Sequence, residues 1–328
     1  MTRVSRTATI AALFVAALAG VAPHFALAQA EYPAGVVKVI VPFPAGGLND
    51  VLARIVGDKL QAKWGQPFII ENKTGAGGNI GAEAAYQAAP DGYTLLVSPP
   101  GPLAVNQSLY RQLSFKPEEF VPMTVIGSVP NLVIVRNDLP VNSLKELIAY
   151  VKANPGKVTF GSQGNGSTPH LTGMMFQTMI GGQLIHVPYR GENLVLNDLV
   201  GEHVDLFFGN IAAALPFYRD GKVKLLAVAD TGRAPNLPDI PTTVEAGLPG
   251  LVSTSWFALA GPPKFPPALQ AQIANAVSEI LKMPDVAAKL RAISVTPGGQ
   301  SPAETAAFIR EEAQRWGAVI KNNNIVVE

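Results

Sequence analysis

The sequence predicts an α/β fold built on a mostly parallel sheet. Three observations carry that class. Residues 36–41 (VVKVIV) form a nearly continuous apolar run, the pattern of a strand buried on both faces. A Pro/Gly loop and an amphipathic stretch follow at once, and this order of strand, loop and helix recurs along the chain. Only 15% of residues are charged, and glycine and proline number 31 and 28. That balance suits short elements joined by tight turns rather than disorder.

The elements follow in order. After the loop at 42–48, Asn49 or Asp50 can cap a helix. Val51, Leu52, Ile55, Val56 and Leu60 share one face of it, and Gly65 ends it. Residues 67–70 and 93–97 are the next strands, then 132–135. Ser143 and Glu146 make a capping box that opens a helix to about Ala153. A strand at 158–160 leads into a loop at 161–167. Thr168 can cap the next helix, with Pro169 in its first position, where a missing N–H costs nothing. Strands at 184–187, 204–208 and 223–229 alternate with helices at 193–200 and 211–218. The C-terminal third is more helical: 267–282, 285–292, and a second capping box at Ser301 and Glu304 leading a helix to about Ile320. No internal repeat and no low-complexity linker divides the chain. Any domains are therefore expected to be joined by ordered strands.

The first residues read as a leader. Arg3 and Arg6 precede an apolar run at 8–22, and small-x-small sequences end at Ala28 and Ala30. This is the layout of a signal peptide, cleaved after Ala28 or Ala30. A run of roughly 15 residues falls short of the ~20 that a membrane-spanning helix needs. The chain has no cysteine, which excludes a lipid anchor on an N-terminal cysteine, disulfides and thiolate metal sites. The formal net charge of +1 becomes about −1 once Arg3 and Arg6 leave. No basic run of five or more occurs, so nucleic acid is not an expected partner. A mature chain of roughly 300 residues makes one large or two medium domains.

Enzyme motifs are missing. His24 lies in the leader, and His170, His186 and His203 are too far apart for a short metal-ligand spacing. No GxSxG elbow occurs. Ser162 and Ser167 sit in a Gly-rich loop and would need a nearby histidine to act as nucleophiles. Residues 75–81 (GAGGNIG) lack the Gly-Lys-Ser/Thr of a P-loop, and Ile80 stands where GxGxxG needs its third glycine. Glycines ahead of a helix instead let backbone N–H groups approach a partner closely. The loops at 43–47 (FPAGG) and 164–168 (GNGST) offer the same feature. Together they suit an anion held at helix starts; singly, each is also explained as a tight turn or a cap.

Several segments carry a family resemblance. They are PFPAGG at 42–47 with Asp50, Ala53 and Arg54; ENK at 71–73 running into GAGGNIG at 75–81; and APDGYTL at 89–95. GSTPHL at 166–171, HVPYRG at 186–191, LPDIPT at 237–242, EAG at 245–247 and SWF at 255–257 follow. With these the chain resembles the extracytoplasmic Bug receptors of tripartite tricarboxylate transporters, over nearly its whole mature length. The resemblance implies a type II periplasmic binding-protein fold, two α/β lobes joined by two crossing strands. Lobe 1 would comprise 31–131 plus 254–328, and lobe 2 would comprise 132–253. It implies a small organic carboxylate held in the interlobe cleft by Phe43, Ala45, Gly46, Asn49, Ser98 and Gly101 from the first lobe. Ser162, Ser167, Thr168 and Asn210 would come from the second. No cofactor and no metal is implied.

Four departures bear on the ligand. Asn49 replaces a common Ser or Thr, and PPGPL at 99–103 replaces a loop that commonly bears hydroxyls. Gly209 stands where an acid is common, and GENLV at 191–195 replaces a small, Pro-containing stretch. With Glu192 taken as a solvated helix-start carboxylate, the cleft is expected to favour plain carboxylates over amino acids. The function expected is that of a monomeric periplasmic receptor delivering its ligand to membrane transporter subunits. A co-receptor read by a membrane sensor is the alternative, and a secreted hydrolase a weaker one.

Overall fold

The structure is a computed structural model that describes residues 32–323 and 325. The leader and both its cleavage sites lie outside the described residues. Gly35–Glu328 forms one compact unit.

The chain opens with β1 (Val37–Val41), α1 (Leu48–Trp64), β2 (Phe68–Asn72), α2 (Asn79–Tyr86) and β3 (Thr94–Ser98). A π-turn over Gly101–Val105 runs into the short α3 (Asn106–Leu109), and β4 (Val121–Pro130) follows. Next come β5 (Leu132–Arg136), α4 (Leu144–Ala153), β6 (Val158–Ser162), α5 (Thr168–Ile180), β7 (Leu184–Pro188), α6 (Glu192–Val200), β8 (Leu206–Phe207), α7 (Ile211–Arg219) and β9 (Val223–Val228). The chain closes with β10 (Thr254–Gly261), α8 (Pro267–Leu281), α9 (Pro284–Ala292), β11 (Thr296–Pro297) and α10 (Pro302–Asn322).

Two sheets build two α/β lobes. One has the order β11-β4-β10-β3-β1-β2, the other β7-β6-β8-β5-β9. The sheets are mixed, not mostly parallel. β1 pairs parallel with β2 and β3, and β6 with β7 and β8. β10 is antiparallel to β3 and β4, and β5 to β8 and β9. The reason lies in β4 and β10, both missed by the sequence pattern. β4 carries the chain toward the second sheet and β10 brings it back, so the two must run in opposite directions. They pair from Pro130↔Thr254 to Val121↔Gly261, with register shifts after Phe257 and Leu259.

Each sheet has its own core. Val133, Leu147, Phe160, Phe176 and Phe208 pack in one, and Ile40, Leu96, Phe115, Trp256 and Ala258 in the other. A third cluster sets Leu171 of α5 against Val105, Leu109 and Trp316 of the first lobe. The buried Glu312 of α10 accepts hydrogen bonds from the indoles of Trp256 and Trp316, both at 2.9 Å, and pairs with Arg315.

The helix starts differ from the sequence expectation in three places. Gly47, not Asn49 or Asp50, is the N-cap of α1. Asp50 sits one turn in and reaches back to accept from the Gly46 N–H at 3.0 Å. Ser167, not Thr168, is the N-cap of α5, because the helix already includes Thr168 ahead of Pro169. At α4, Ser143 accepts from the Glu146 N–H as expected, but Glu146 bonds the N–H of Asn142 rather than that of Ser143. The box at Ser301 is complete.

Candidate functional site

The parallel strands of both lobes end at one place. Loops leaving the carboxyl ends of β1, β3, β6, β7 and β8 bring Phe43, Pro99, Gln163, Arg190 and Asn210 together around a cavity of ≈ 190 Å³. Crevices outside strand carboxyl ends are where open α/β sheets take ligands. The starts of α1 and α6 both border it, through Gly47, Leu48 and Asn49 and through Gly191, Glu192 and Asn193. Phe43, Pro44, Leu48, Pro99, Leu194 and Phe257 supply apolar wall. A smaller cavity of ≈ 20 Å³, room for about one water, adjoins the start of α5 and is lined by Gly101, Ser167, Thr168 and Ser255. Phe43, Gln163 and Asn210 border both.

The structure thus brings Phe43, Ala45, Asn49 and Asn210 to the larger cavity and Gly101, Ser167 and Thr168 to the smaller one. Gly46, Ser98 and Ser162 line neither. The Gly46 N–H is taken by Asp50. The Ser98 hydroxyl donates to its neighbour's carbonyl, Pro99 O, at 3.0 Å. Ser162 is fully buried, donates to Gly164 O and lies 2.7 Å from His186 Nε2. That pair is the contact a hydrolase would need, but here it is closed off. His186 stacks on Phe160 and on His170, with ring centroids 4.8 and 4.1 Å apart, instead of meeting a carboxylate that could orient it. Burial holds His186 at a pKa of about 4; burial and its neighbour's charge hold His170 at about 3. Both rings are neutral at pH 7.

Thr168 does not act as a cap. Its hydroxyl bonds Ser255 across the lobe crossing. Beside it, the buried Asn131 donates to Thr172 and Ser253 at 3.1 Å each and accepts from Ser255 at 3.1 Å. This network ties the start of α5 to both crossing segments.

Glu192 overturns an expectation. It is not solvated but only 6% exposed, in the wall of the larger cavity. Oε1 accepts from the Leu48 N–H of the facing lobe at 3.3 Å. Oε2 accepts from Gln163 Nε2 at 2.8 Å and Asn210 Nδ2 at 2.9 Å. All three partners donate, as an ionised carboxylate requires. Burial pushes its pKa up, and the bonds from Asn210 and Leu48 oppose this. Asp50 lies on the other side of α1. Burial would raise it, but bonds from Arg54, Gly46 and Asn72 and the charge of Arg54 hold it below the ordinary value. Asn49 Nδ2 donates to Val97 O at 3.0 Å. Sequence reasoning missed Glu192, Gln163 and Arg190. The available signal was position: each directly follows a strand that ends at the cavity, or comes within a few residues of doing so.

Gly209 explains its own departure. A Cβ there would stand 2.0 Å from the Phe207 ring, so this position has no room for an acid.

The model of the tripartite tricarboxylate transporter family receptor matches residues 52–325. The chain belongs to that family. The receptor is 36% identical to BugT of Bordetella pertussis, over 97% of each chain. An R. palustris protein solved with adipate superposes at a TM-score of 0.87 with 36% identity, covering 90% of this chain and all of that one. MatC from Rhodopseudomonas palustris, solved with bound malate, superposes at 0.84 with 32% identity, covering 88% and 100%. The receptor therefore has the type II periplasmic binding-protein fold and is an extracytoplasmic solute-binding protein, not an enzyme. Among the described residues no group of three His, Asp or Glu side chains is placed to hold a metal ion.

Proposed function

We propose that the receptor captures a small organic carboxylate in the cavity between its lobes and delivers it to the membrane subunits of a tripartite tricarboxylate transporter. The observation that carries this is the convergence of helix starts: α1 and α6 border the larger cavity and α5 the smaller one. N–H groups of a first helical turn, with the positive end of the helix dipole, hold carboxylates, and at α1 the Leu48 N–H already holds that of Glu192. Arg190 at the exposed rim adds a full cation. Relatives solved with adipate and with malate support a carboxylate here. Phe43, Ala45, Asn49, Gly101, Ser167, Thr168 and Asn210 are the proposed contacts, with Gly46, Ser98 and Ser162 shaping the loops behind them. The lobes divide near residues 131 and 254. The mature receptor begins after Ala28 or Ala30 and acts as a monomer.

The test is a thermal-shift screen on protein unfolded and refolded to strip bound solute. A cognate carboxylate at 100 times its Kd should stabilise the fold by ~2.7 kcal/mol. Shifts from sugars or amines with every carboxylate silent would overturn the reading.

A further inference from the structure

We propose that Glu192 makes this receptor bind its carboxylate together with a proton, so that the larger cavity admits an anion only as that pair. This rests on the carboxylate reading above and names the residue that sets its terms.

Two carboxylates contend for one set of donors. The start of α1 would draw a ligand anion into the cavity, yet its Leu48 N–H already donates to Glu192 Oε1 at 3.3 Å. The other Glu192 oxygen takes Gln163 Nε2 and Asn210 Nδ2. All three donors are neutral groups, so they solvate the charge without cancelling it. Arg190 lines the same cavity but sits at the exposed rim, where water and salt screen it. Behind the wall, Asp50 of α1 is paired with Arg54, and Asp198 of α6 accepts from the Tyr189 hydroxyl. His186 and His170, behind the loop that follows β6, stay neutral above pH 6.

A ligand carboxylate entering beside Glu192 therefore sets two like charges in a nearly dry site. Two carboxylates sharing a site cannot both stay ionised, and the pKa of one rises strongly. Glu192 is the one that takes the proton, which comes from solvent. Its burial already pushes it up, and the incoming anion gains the helix-start N–H groups. The Leu48 N–H passes to the ligand, and the new Glu192 O–H donates to the ligand carboxylate in a charge-assisted bond. Binding thus takes up a proton. Affinity is highest at low pH and falls as pH rises between the Glu192 pKa of the free receptor and that of the loaded one, by up to about tenfold per pH unit. Simple ligand carboxyls are ionised above about pH 6.5, so their own titration adds little there.

The test is calorimetry on the refolded receptor with adipate, malate, succinate, benzoate and any further acid the thermal-shift screen selects. Each is run at pH 6.5, 7.5 and 8.5 in two buffers of different ionisation enthalpy. For an acid that binds, Kd should rise at least about fivefold across this range, with proton uptake read from the buffer dependence. Glu192→Gln offers an N–H donor with no proton to take up. Its Kd should be flat with pH and, at pH 8.5, lower than that of the wild type. A wild-type Kd independent of pH and buffer would overturn the proposal, and so would a pH slope unchanged in Glu192→Gln. Should the variant not fold, infrared difference spectra of the wild type with 13C-carboxylate acid decide. A protonated-carboxyl band at the unlabelled frequency is expected on binding, and its absence rules out Glu192 as the proton's carrier. An acid that binds without a proton defeats this proposal alone. If every acid is silent, the carboxylate reading itself fails and this falls with it.

Discussion

Gly173 shows two effects in opposition at one residue. It lies inside α5, where replacing glycine with alanine favours a helix by ~1 kcal/mol. A Cβ at this position would stand 2.2 Å from the Phe160 ring, itself fully buried. Overpacking of that kind costs ~1–3 kcal/mol, so the clash wins. Gly173→Ala should lower stability by ~1–2 kcal/mol, read as a lower urea midpoint at unchanged slope. A gain in stability would show that Phe160 moves freely. Asn131 is the second residue to test. Asn131→Ala strips partners from Thr172, Ser253 and Ser255 at the lobe crossing, each buried. Each hydroxyl keeps a further partner, Thr168 O and Ser253 for Thr172 and Thr168 for Ser255, so none is left unmet. Three lost hydrogen bonds at ~0.5–1.5 kcal/mol each make a loss of roughly 1.5–4.5 kcal/mol the expectation in the same assay. A loss near zero would mean that the hydroxyls alone hold the crossing.

Among the elements, β6, β7 and α5 share the stack of Phe160, His186 and His170. Both histidines have folded pKa values well below the ordinary one, about 4 and about 3, chiefly through burial. The sign follows directly. The unfolded chain takes up protons first, so the stability these rings contribute is complete above about pH 6.5. It is lost as pH falls through 6.5 toward 4, at up to ~1.4 kcal/mol per pH unit per histidine. Urea midpoints should fall steeply between pH 6.5 and 5. His170→Gln should flatten that fall; an unchanged slope would place the acid sensitivity elsewhere. At the start of α10, the complete capping box predicts that Ser301→Ala costs ~1 kcal/mol. A change near zero in the thermal midpoint would mean that water replaces the cap.

For the whole molecule, the contact of Glu192 with the Leu48 N–H matters because it joins the lobes. Hinge closure around a ligand is a balance of interlobe contacts against the freedom of the open form. Glu192→Ala removes this contact and the anchors of Gln163 and Asn210. The ligand-free variant should open, with a larger radius of gyration in small-angle scattering than the wild type. Equal radii would show that the cluster of Leu171 with Trp316 and Leu109 holds closure without Glu192.

The sequence by itself determined the local elements and the family. β1 could be found because a strand buried on both faces must be apolar throughout, and α10 because its capping box is a local signal. The helix starts that border the cavity were likewise legible as Gly-rich loops. The tertiary structure decided the rest. β4 and β10 were expected only as the crossing strands that the family resemblance implied; the residue pattern did not mark them, because their pairing joins residues more than a hundred positions apart. Thr168 looked like a cap and proved to be a link to Ser255, a partner that only the crossing strands bring near. Glu192 looked solvated because a helix-start carboxylate ordinarily is. Its burial is a property of two lobes meeting, with Leu48 and Gln163 supplying donors from distant parts of the chain. A charge is placed by what folds over it, and that is not written in its neighbours along the sequence.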